Sequence, residues 1–405
     1  NPEFTMMELY QAYGDVNTMA DLFEEILGNA AKAIGVEKVM FHGQEINLVP
    51  PFKRLYIPQA WQEKFGHDIH EVLDGRQFRR EPLAALAKEQ GISFPVGKVQ
   101  RLEMFPMSFE EFVIADGGEK YLNGMSKLPL GREISELYSV PMQKYLQNYY
   151  IVGGMPEAVK IWIQTHDYNQ VEEIQNQILK DYADDFGKHT TPDTAIKIKL
   201  IWDAIPSQIA KDNNKFIFSH VKEGARAKDL EDALEWLVSA GLVYKLNLVQ
   251  TPQLPLESMK DNTYFKIYMA DVGLLRKKSN VNYRTILNGD ESFIQFKGVF
   301  SENYIMSELK CLGVSAYFWR TKADAEVDFI SDYEGVLFPI EVKSATNTKA
   351  KSLQLFCKRF SPKLAFKASL KNVGDNMIEE THIWNIPLYI FFRIKEYIKT
   401  EMGWL

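Results

Sequence analysis

Cysteine is scarce in this chain of 405 residues: Cys311 and Cys357 are the only two. Two thiols build neither a disulfide framework nor a zinc site of their own, a pattern that fits a reducing, cytoplasmic compartment. Long apolar runs are lacking as well. The longest, Ile386-Pro-Leu-Tyr-Ile-Phe-Phe392, is far shorter than the ~20 residues of a membrane-spanning helix and reads as a buried strand, so no membrane partner is expected. No secretory leader is recognisable, and the sequence opens on Asn1 rather than methionine, as a fragment would. An excess of positive charge is also missing: the net charge is −7, so any nucleic-acid signal must be local. Finally, Gly-x-x-x-x-Gly-Lys-[Ser/Thr] occurs nowhere. Gly187-Lys188-His189 lacks both the upstream glycine and the hydroxyl, so ATP is not expected to bind productively.

What is present suffices for two or three packed domains: 46% hydrophobic residues, with 25 Phe and 19 Tyr. Met19, Leu22, Phe23, Ile26, Leu27 and Ala30 recur at helical steps and predict an amphipathic helix over Thr18–Ile34, capped by Asn17 or Thr18. Two short strands are expected around Pro50-Pro51, then a polar helix over 61–90. Residues 1–91 carry 9 basic and 14 acidic side chains, an acidic head. Beyond Gly91, Ser93–Val99 reads as a strand, and Ser108 as the N-cap of a helix containing Glu111. Helices follow, broken at Val152-Gly-Gly-Met-Pro156, with Ile174, Ile178, Tyr182 and Phe186 as one buried stripe. Helices at Ala195–Ala210 and Ala227–Ala240, a short element at Lys215–Val221 that is helix or strand, and strands at Leu242–Val249 and Tyr264–Met269 give the layout of a winged helix. Residues 190–250 hold 8 basic and 8 acidic side chains, which favours a protein partner over phosphate for that module.

The last third is richer in chemistry. A helix at Phe300–Leu312 carries Glu302, and strands are expected at Ser315–Arg320, Ala325–Ile330 and Gly335–Ser344. Alternation puts Glu326 with Asp328 on one strand face and Glu341 with Lys343 on one face of the next. If the two strands pair, Asp328 and Glu341 can hold Mg²⁺ with help from Glu302, and Lys343 can serve the attacking water. The same pattern is also that of a solvated cross-strand salt-bridge ladder. Glu308–Lys310, the other Glu-x-Lys, reads as a helical pair. Between Glu341 and Asp375 there is no acidic residue, while Lys343, Lys349, Lys351, Lys358, Arg359, Lys363, Lys367 and Lys371 fall in that window. Lys351, Lys358, Arg359 and Lys363 are the candidate phosphate contacts on or beside a helix at Ser352–Phe360.

Residues from Ser93 onward resemble AAA-type P-loop ATPases with a C-terminal domain of unknown function. The resemblance rests on Ser93–Val99, Pro106–Phe112, Val152–Pro156, Asp181–Phe186, Ala233–Leu242, Glu326-Val-Asp-Phe329 and Ile340-Glu-Val-Lys343. It implies an ATPase head, here missing apart from its last strand, then a winged-helix middle and a PD-(D/E)xK, restriction-endonuclease-like end. Residues 1–91 resemble part of class II lysyl-tRNA synthetase, through Asn1–Tyr10 and Gln11–Asp15. That resemblance implies Phe4 at an adenine-stacking position and Glu8 and Tyr10 in an amino-acid pocket. The motif's preceding strand and arginine are absent, so a non-functional remnant is expected. The chain thus reads as two unrelated fragments joined near Gly91–Ser93: a small α+β piece (1–91), the ATPase remnant with a helical segment (93–190), a winged-helix-like module (191–285) and a mixed α/β nuclease-like domain (290–405). Three functions compete: a nucleic-acid-binding or regulatory module, a Mg²⁺-dependent phosphodiester hydrolase, and an inactive lysine–tRNA ligase fragment.

Overall fold

A computed structural model of the chain describes residues 15–41, 43–71, 73–74, 77–78, 103–188, 190–210, 215–289, 291–322, 325–343 and 350–404. The expected strand at Ser93–Val99 lies outside these. The chain forms two compact units, residues 1–102 and 103–405.

In the first unit, α1 spans Val16–Ile34 and starts earlier than the sequence predicts. Its N-cap is Asp15, not Asn17 or Thr18. Asp15 Oδ1 accepts the Thr18 N–H at 2.9 Å while Thr18 Oγ1 accepts the Asp15 N–H at 2.8 Å, a reciprocal capping box. The predicted apolar stripe is half-buried at best, and Ala31 is the buried position. The two strands β1 (Lys38–Phe41) and β2 (Gln44–Asn47) pair as a hairpin ahead of Pro50-Pro51 rather than around it. Gly43, at φ +77°, permits the turn there. Of the helix predicted over 61–90, the described part holds the end of the short α2, Ile57–Phe65, stopped by Gly66 at φ +75°, and residues 79–90 lie outside the described residues. Two-residue strands β3 (Leu73–Asp74) and β4 (Gln77–Phe78) follow.

The second unit begins with helices: α3 (Phe109–Ala115), α4 (Glu119–Ser126), α5 (Glu136–Val152), α6 (Pro156–Thr165) and α7 (Tyr168–Asp185). Ser108 caps α3 as expected, in a box with Glu111. Glu308 and Lys310 lie on one helix, as the sequence predicts, and Glu308 also has a long-range role. It is buried and accepts the Phe109 N–H at 2.8 Å, and burial pushes its carboxyl up to about 7. Next come α8 (Pro192–Ile209), a bridge from Lys215 to Lys266, a 3₁₀ turn at Phe218–His220, α9 (Ala227–Ser239), and the hairpin β5 (Val243–Val249) and β6 (Lys260–Met269).

The hairpin does not stand alone. After α10 (Val272–Lys278), α11 (Tyr283–Asn288) and α12 (Glu291–Cys311), the strands β7 (Ser315–Arg320), β8 (Glu326–Tyr333) and β9 (Val336–Val342) form an antiparallel meander. Helix α13 (Lys351–Phe360) crosses to β10 (Leu364–Ser369), then β11 (Gly374–Ile378), β12 (Thr381–Pro387) and α14 (Ile394–Glu401). All eight strands share one mixed sheet in the order β11-β12-β10-β9-β8-β7-β5-β6, and β5 joins β7 in parallel where Leu248 faces Phe318. The fold is mixed α/β. One core packs α12 residues Phe300, Tyr304 and Leu309 with Phe318, Phe329, Phe338 and Ile340, and a second packs Leu353 and Phe356 of α13 with Trp319, Val327 and Ile330. Among the described residues, no helix is long and apolar enough to cross a membrane.

The apolar run at 386–392 is not a strand throughout. β12 ends at Pro387, and Leu388–Arg393 coils into a 3₁₀ turn leading to α14. A short apolar run has no periodicity to separate a buried strand from a buried helical turn. His382 ties this end together, with Nδ1 3.0 Å from Glu401 of α14 and Nε2 3.0 Å from Asp375 of β11. Burial alone would lower its pKa, but the bonds to Asp375 and Glu401 outweigh this and raise it. A raised folded-state pKa makes its contribution full below the unfolded value of about 6.5 and progressively lost as pH rises through the folded value. The stability gap between wild type and His382→Gln is therefore expected to be about 1 kcal/mol at pH 6 and to shrink by pH 9, read from urea midpoints. A gap that widens with pH would contradict the double carboxylate clamp.

Candidate functional site

The meander places the predicted residues. β8 and β9 turn through Glu334 (φ +49°) and Gly335 (φ +81°), flanked by the pair Tyr333 and Val336. Two successive positive φ values make a two-residue hairpin turn whose twist matches its strands. The ladder runs back to Phe329 opposite Ile340. Asp328 and Glu341 flank that pair on adjacent strands, as the sequence predicts.

Alternation along β8 is not regular. Tyr317 faces Ile330 and Trp319 faces Val327, so Phe318 stands opposite both Asp328 and Phe329. This is a bulge, and it re-aims side chains locally. Val327 and Ile330, three residues apart, share one core while Phe329 joins the other. The strict period-two pattern therefore breaks at the Asp328-Phe329 bulge, and Asp328 Oδ2 accepts the Val342 N–H at 2.7 Å.

Glu341 is buried, and its Oε1 lies 2.6 Å from Lys343 Nζ. Its Oε2 is buried and has no hydrogen-bond partner among the described residues. Glu302 on α12 accepts the Tyr268 hydroxyl at 3.0 Å. Glu326 pairs with Lys266 Nζ at 2.5 Å and approaches Arg320 Nη1 at 3.8 Å. Burial pushes the Asp328 carboxyl well above the usual range, reinforced by Glu341 and Glu302 and opposed by Lys266 and Lys343. Burial also raises Glu341, against the pull of Lys343. Lys266 and Lys343 would be lowered by burial, but the surrounding carboxylates raise both.

Lys266 and Tyr268 are the residues that sequence reasoning missed. The signal was available: Lys266 interrupts an otherwise apolar strand, Tyr264–Met269, and a lysine there needs a carboxylate. It is fully buried. The candidate phosphate contacts Lys351, Lys358, Arg359 and Lys363 are all exposed, the first three on α13 and Lys363 just beyond it. Phe4, Glu8 and Tyr10 lie outside the described residues.

Carboxylate oxygens suit a hard cation such as Mg²⁺. In this structure one oxygen of Asp328 accepts a backbone N–H and one of Glu341 contacts a lysine. Among the described residues, no group of three or more His, Cys, Asp or Glu side chains is disposed to hold a metal ion. The cluster as it stands is an internally paired network of carboxylates and lysines.

Comparison with known proteins gives partial matches. The family model of a domain of unknown function, DUF8612, matches residues 143–285, and that of another, DUF4143, matches residues 297–391. Lysine–tRNA ligase of Clostridium perfringens is 34% identical over 140 residues, which are 34% of this chain and 26% of the ligase. The ligase of Carboxydothermus hydrogenoformans is 40% identical over 97 residues, 24% of this chain and 18% of the ligase. That of Moorella thermoacetica is 39% identical over 85 residues, 21% and 17%. The chain thus spans about a quarter or less of the curated relatives it matches. No solved structure matches.

Proposed function

We propose that the C-terminal α/β domain is a restriction-endonuclease-like module that docks on a nucleic-acid backbone without cutting it, as an accessory to a P-loop ATPase core absent from these 405 residues. The observation that carries this reading is the internal pairing of the cluster: Asp328 on Val342 N–H and Glu341 on Lys343 leave the hydrolytic positions engaged with protein groups. The docking face is α13 and its exit, where Lys351, Lys358, Arg359 and Lys363 are exposed within an acid-free stretch. Phosphate contacts of this kind give affinity that falls with salt. The charge-neutral winged-helix-like module suits a protein partner.

The test is fluorescence anisotropy of duplex DNA and single-stranded RNA across a salt titration, without divalent ions. Lys358→Glu with Arg359→Glu is expected to weaken binding at least about tenfold and to flatten the log–log salt slope by roughly 2 for duplex DNA. Both residues are exposed, so the fold is spared. Binding that is unchanged in this variant sinks the docking face. Mg²⁺-dependent cleavage by the wild type, lost in Asp328→Ala, would replace this reading with phosphodiester hydrolysis.

The likeness to lysine–tRNA ligases supports no activity of this chain on its own. Lysine-dependent ATP–pyrophosphate exchange is expected to stay at background.

A further inference from the structure

We infer that Lys266 is the resident cation of the carboxylate cluster: carried in by the β5–β6 hairpin, its ammonium fills the place of a divalent ion and closes the cluster to metals. The inference rests on the non-hydrolytic reading above and names what enforces it.

The cluster gathers Glu302 from α12, Glu326 and Asp328 from β8, and Glu341 from β9. Lys343 answers Glu341 alone by contact. Lys266 acts on the others, beside Arg320 on Glu326 and Lys343 on Asp328. Its Nζ contacts Glu326, its charge acts on Glu302 and Asp328, and the face of Phe318 lies 5.0 Å away, a further favourable surface for a cation. A lysine so deeply buried stays charged only because several carboxylates surround it, and those carboxylates tolerate each other only with a cation among them.

The lysine's position is built in by backbone pairing. Lys266 lies opposite Leu246 in the β5–β6 ladder, and its outer edge is pinned by the bridge to Lys215. β5 in turn joins the meander at Leu248 and Phe318. The sheet itself thus delivers a side chain of the winged-helix-like module into the cluster of the C-terminal domain. Without that ammonium, Asp328 and Glu341 lose a neighbouring positive charge, and carboxylate oxygens are what Mg²⁺, Mn²⁺ and Ca²⁺ bind.

The experiment uses the full chain with Mn²⁺, Mg²⁺ or Ca²⁺ added singly, read by thermal shift and by calorimetric titration, with no nucleic acid present. Wild type is expected to melt at the same temperature with and without millimolar Mn²⁺. Lys266→Met is expected to bind one Mn²⁺ per chain at least about tenfold more tightly than wild type, with a matching rise in melting temperature. If Lys266→Met does not fold without metal, Lys266→Met/Glu326→Gln, which removes the ion pair as a unit, is expected to fold and to show the same gain. Adding Asp328→Ala should abolish the gain in either background. Equal Mn²⁺ stabilisation of wild type and variant overturns the inference, as does a variant folded by circular dichroism that takes up no Mn²⁺. Docking is read separately, on the α13 variants and without divalent ions, so one idea can fail while the other stands.

Discussion

Replacing Arg276 by methionine is expected to destabilise the unit of residues 103–405 by about 3–5 kcal/mol, because it strips a buried hub of its guanidinium and leaves Glu172 with Lys277 alone, 3.2 Å from its Oε2. Arg276 on α10 is fully buried. Its Nη1 donates to Glu172 Oε1 and to the Val281 carbonyl, each at 2.8 Å, its Nη2 to Gln175 Oε1 at 2.7 Å, and its Nε to the Ile151 carbonyl at 3.2 Å. One guanidinium therefore satisfies acceptors on α5, on α7 and after α10. Gln175 adds bonds from its own amide to the carbonyls of Ile151 and Val152. Methionine fills similar volume but offers no donor, so Glu172 loses its main partner, the Val281 carbonyl and Gln175 Oε1 lose the guanidinium, and the Ile151 carbonyl keeps only the Gln175 amide. Lysine would keep the charge but not the fork, and should recover only part of the loss. Urea unfolding followed by tryptophan fluorescence measures it. A loss below about 1 kcal/mol would mean the hub rearranges around the missing group.

Hubs of this kind are hard to read from sequence, and the comparison of expectation with structure shows why. Local chemistry was legible. Ser108 with Glu111 announces a helix start, and the structure caps α3 there. Ser315–Arg320 alternates as a strand and is β7 to the residue. Asp328 and Glu341 were expected on paired strands and are on β8 and β9. These features depend on residues a few positions apart.

What escaped depends on distance along the chain or on one-residue irregularities. The bulge opposite Phe318 is a single extra residue in β8, and nothing in Glu326–Ile330 marks it. The hairpin at 243–269 reads as a free wing until β5 meets β7 at Leu248 and Phe318, a contact between residues about seventy positions apart that no local pattern encodes. Lys266 belongs to that contact. Its partner Glu326 is sixty residues away, so the sequence shows only that a lysine sits in an apolar strand, not which acid receives it. Glu308 is the same kind of case: the sequence shows a helical residue, while its partner, the N-terminus of α3, lies about two hundred residues earlier.

Gly154→Ala is expected to cost about 3 kcal/mol or more, at the upper end of overpacking, because the methyl would collide with backbone rather than with a side chain that can move. A Cβ at Gly154 would sit 2.1 Å from the Met107 carbonyl oxygen and 2.8 Å from the Met107 nitrogen. Those atoms cannot retreat cheaply. Met107 N donates to the Gly154 carbonyl at 2.7 Å, and its own carbonyl accepts the Tyr149 hydroxyl at 2.6 Å. The other side is equally held, since Gly154 N donates to Asp271 Oδ2 at 2.6 Å and Asp271 caps α10 through Leu274 N at 2.7 Å. The preceding Gly153 has φ +76° and ψ −168°, a region that essentially only glycine enters, and a Cβ there would meet Asp271 Oδ1 at 2.3 Å. The pair of glycines between α5 and α6 is thus required by close backbone approach, where the sequence alone shows only a helix break. Gly153→Ala should cost about 1–3 kcal/mol from its backbone conformation, plus the displacement of Asp271. Changing Gly187, whose Cβ would meet nothing within 4 Å, to alanine should be nearly neutral and serves as the control. The three variants compared by urea midpoint decide the matter. Gly154→Ala falling as close to wild type as Gly187→Ala would show that the Met107 segment can move away, and that the contact is not what demands glycine at this break.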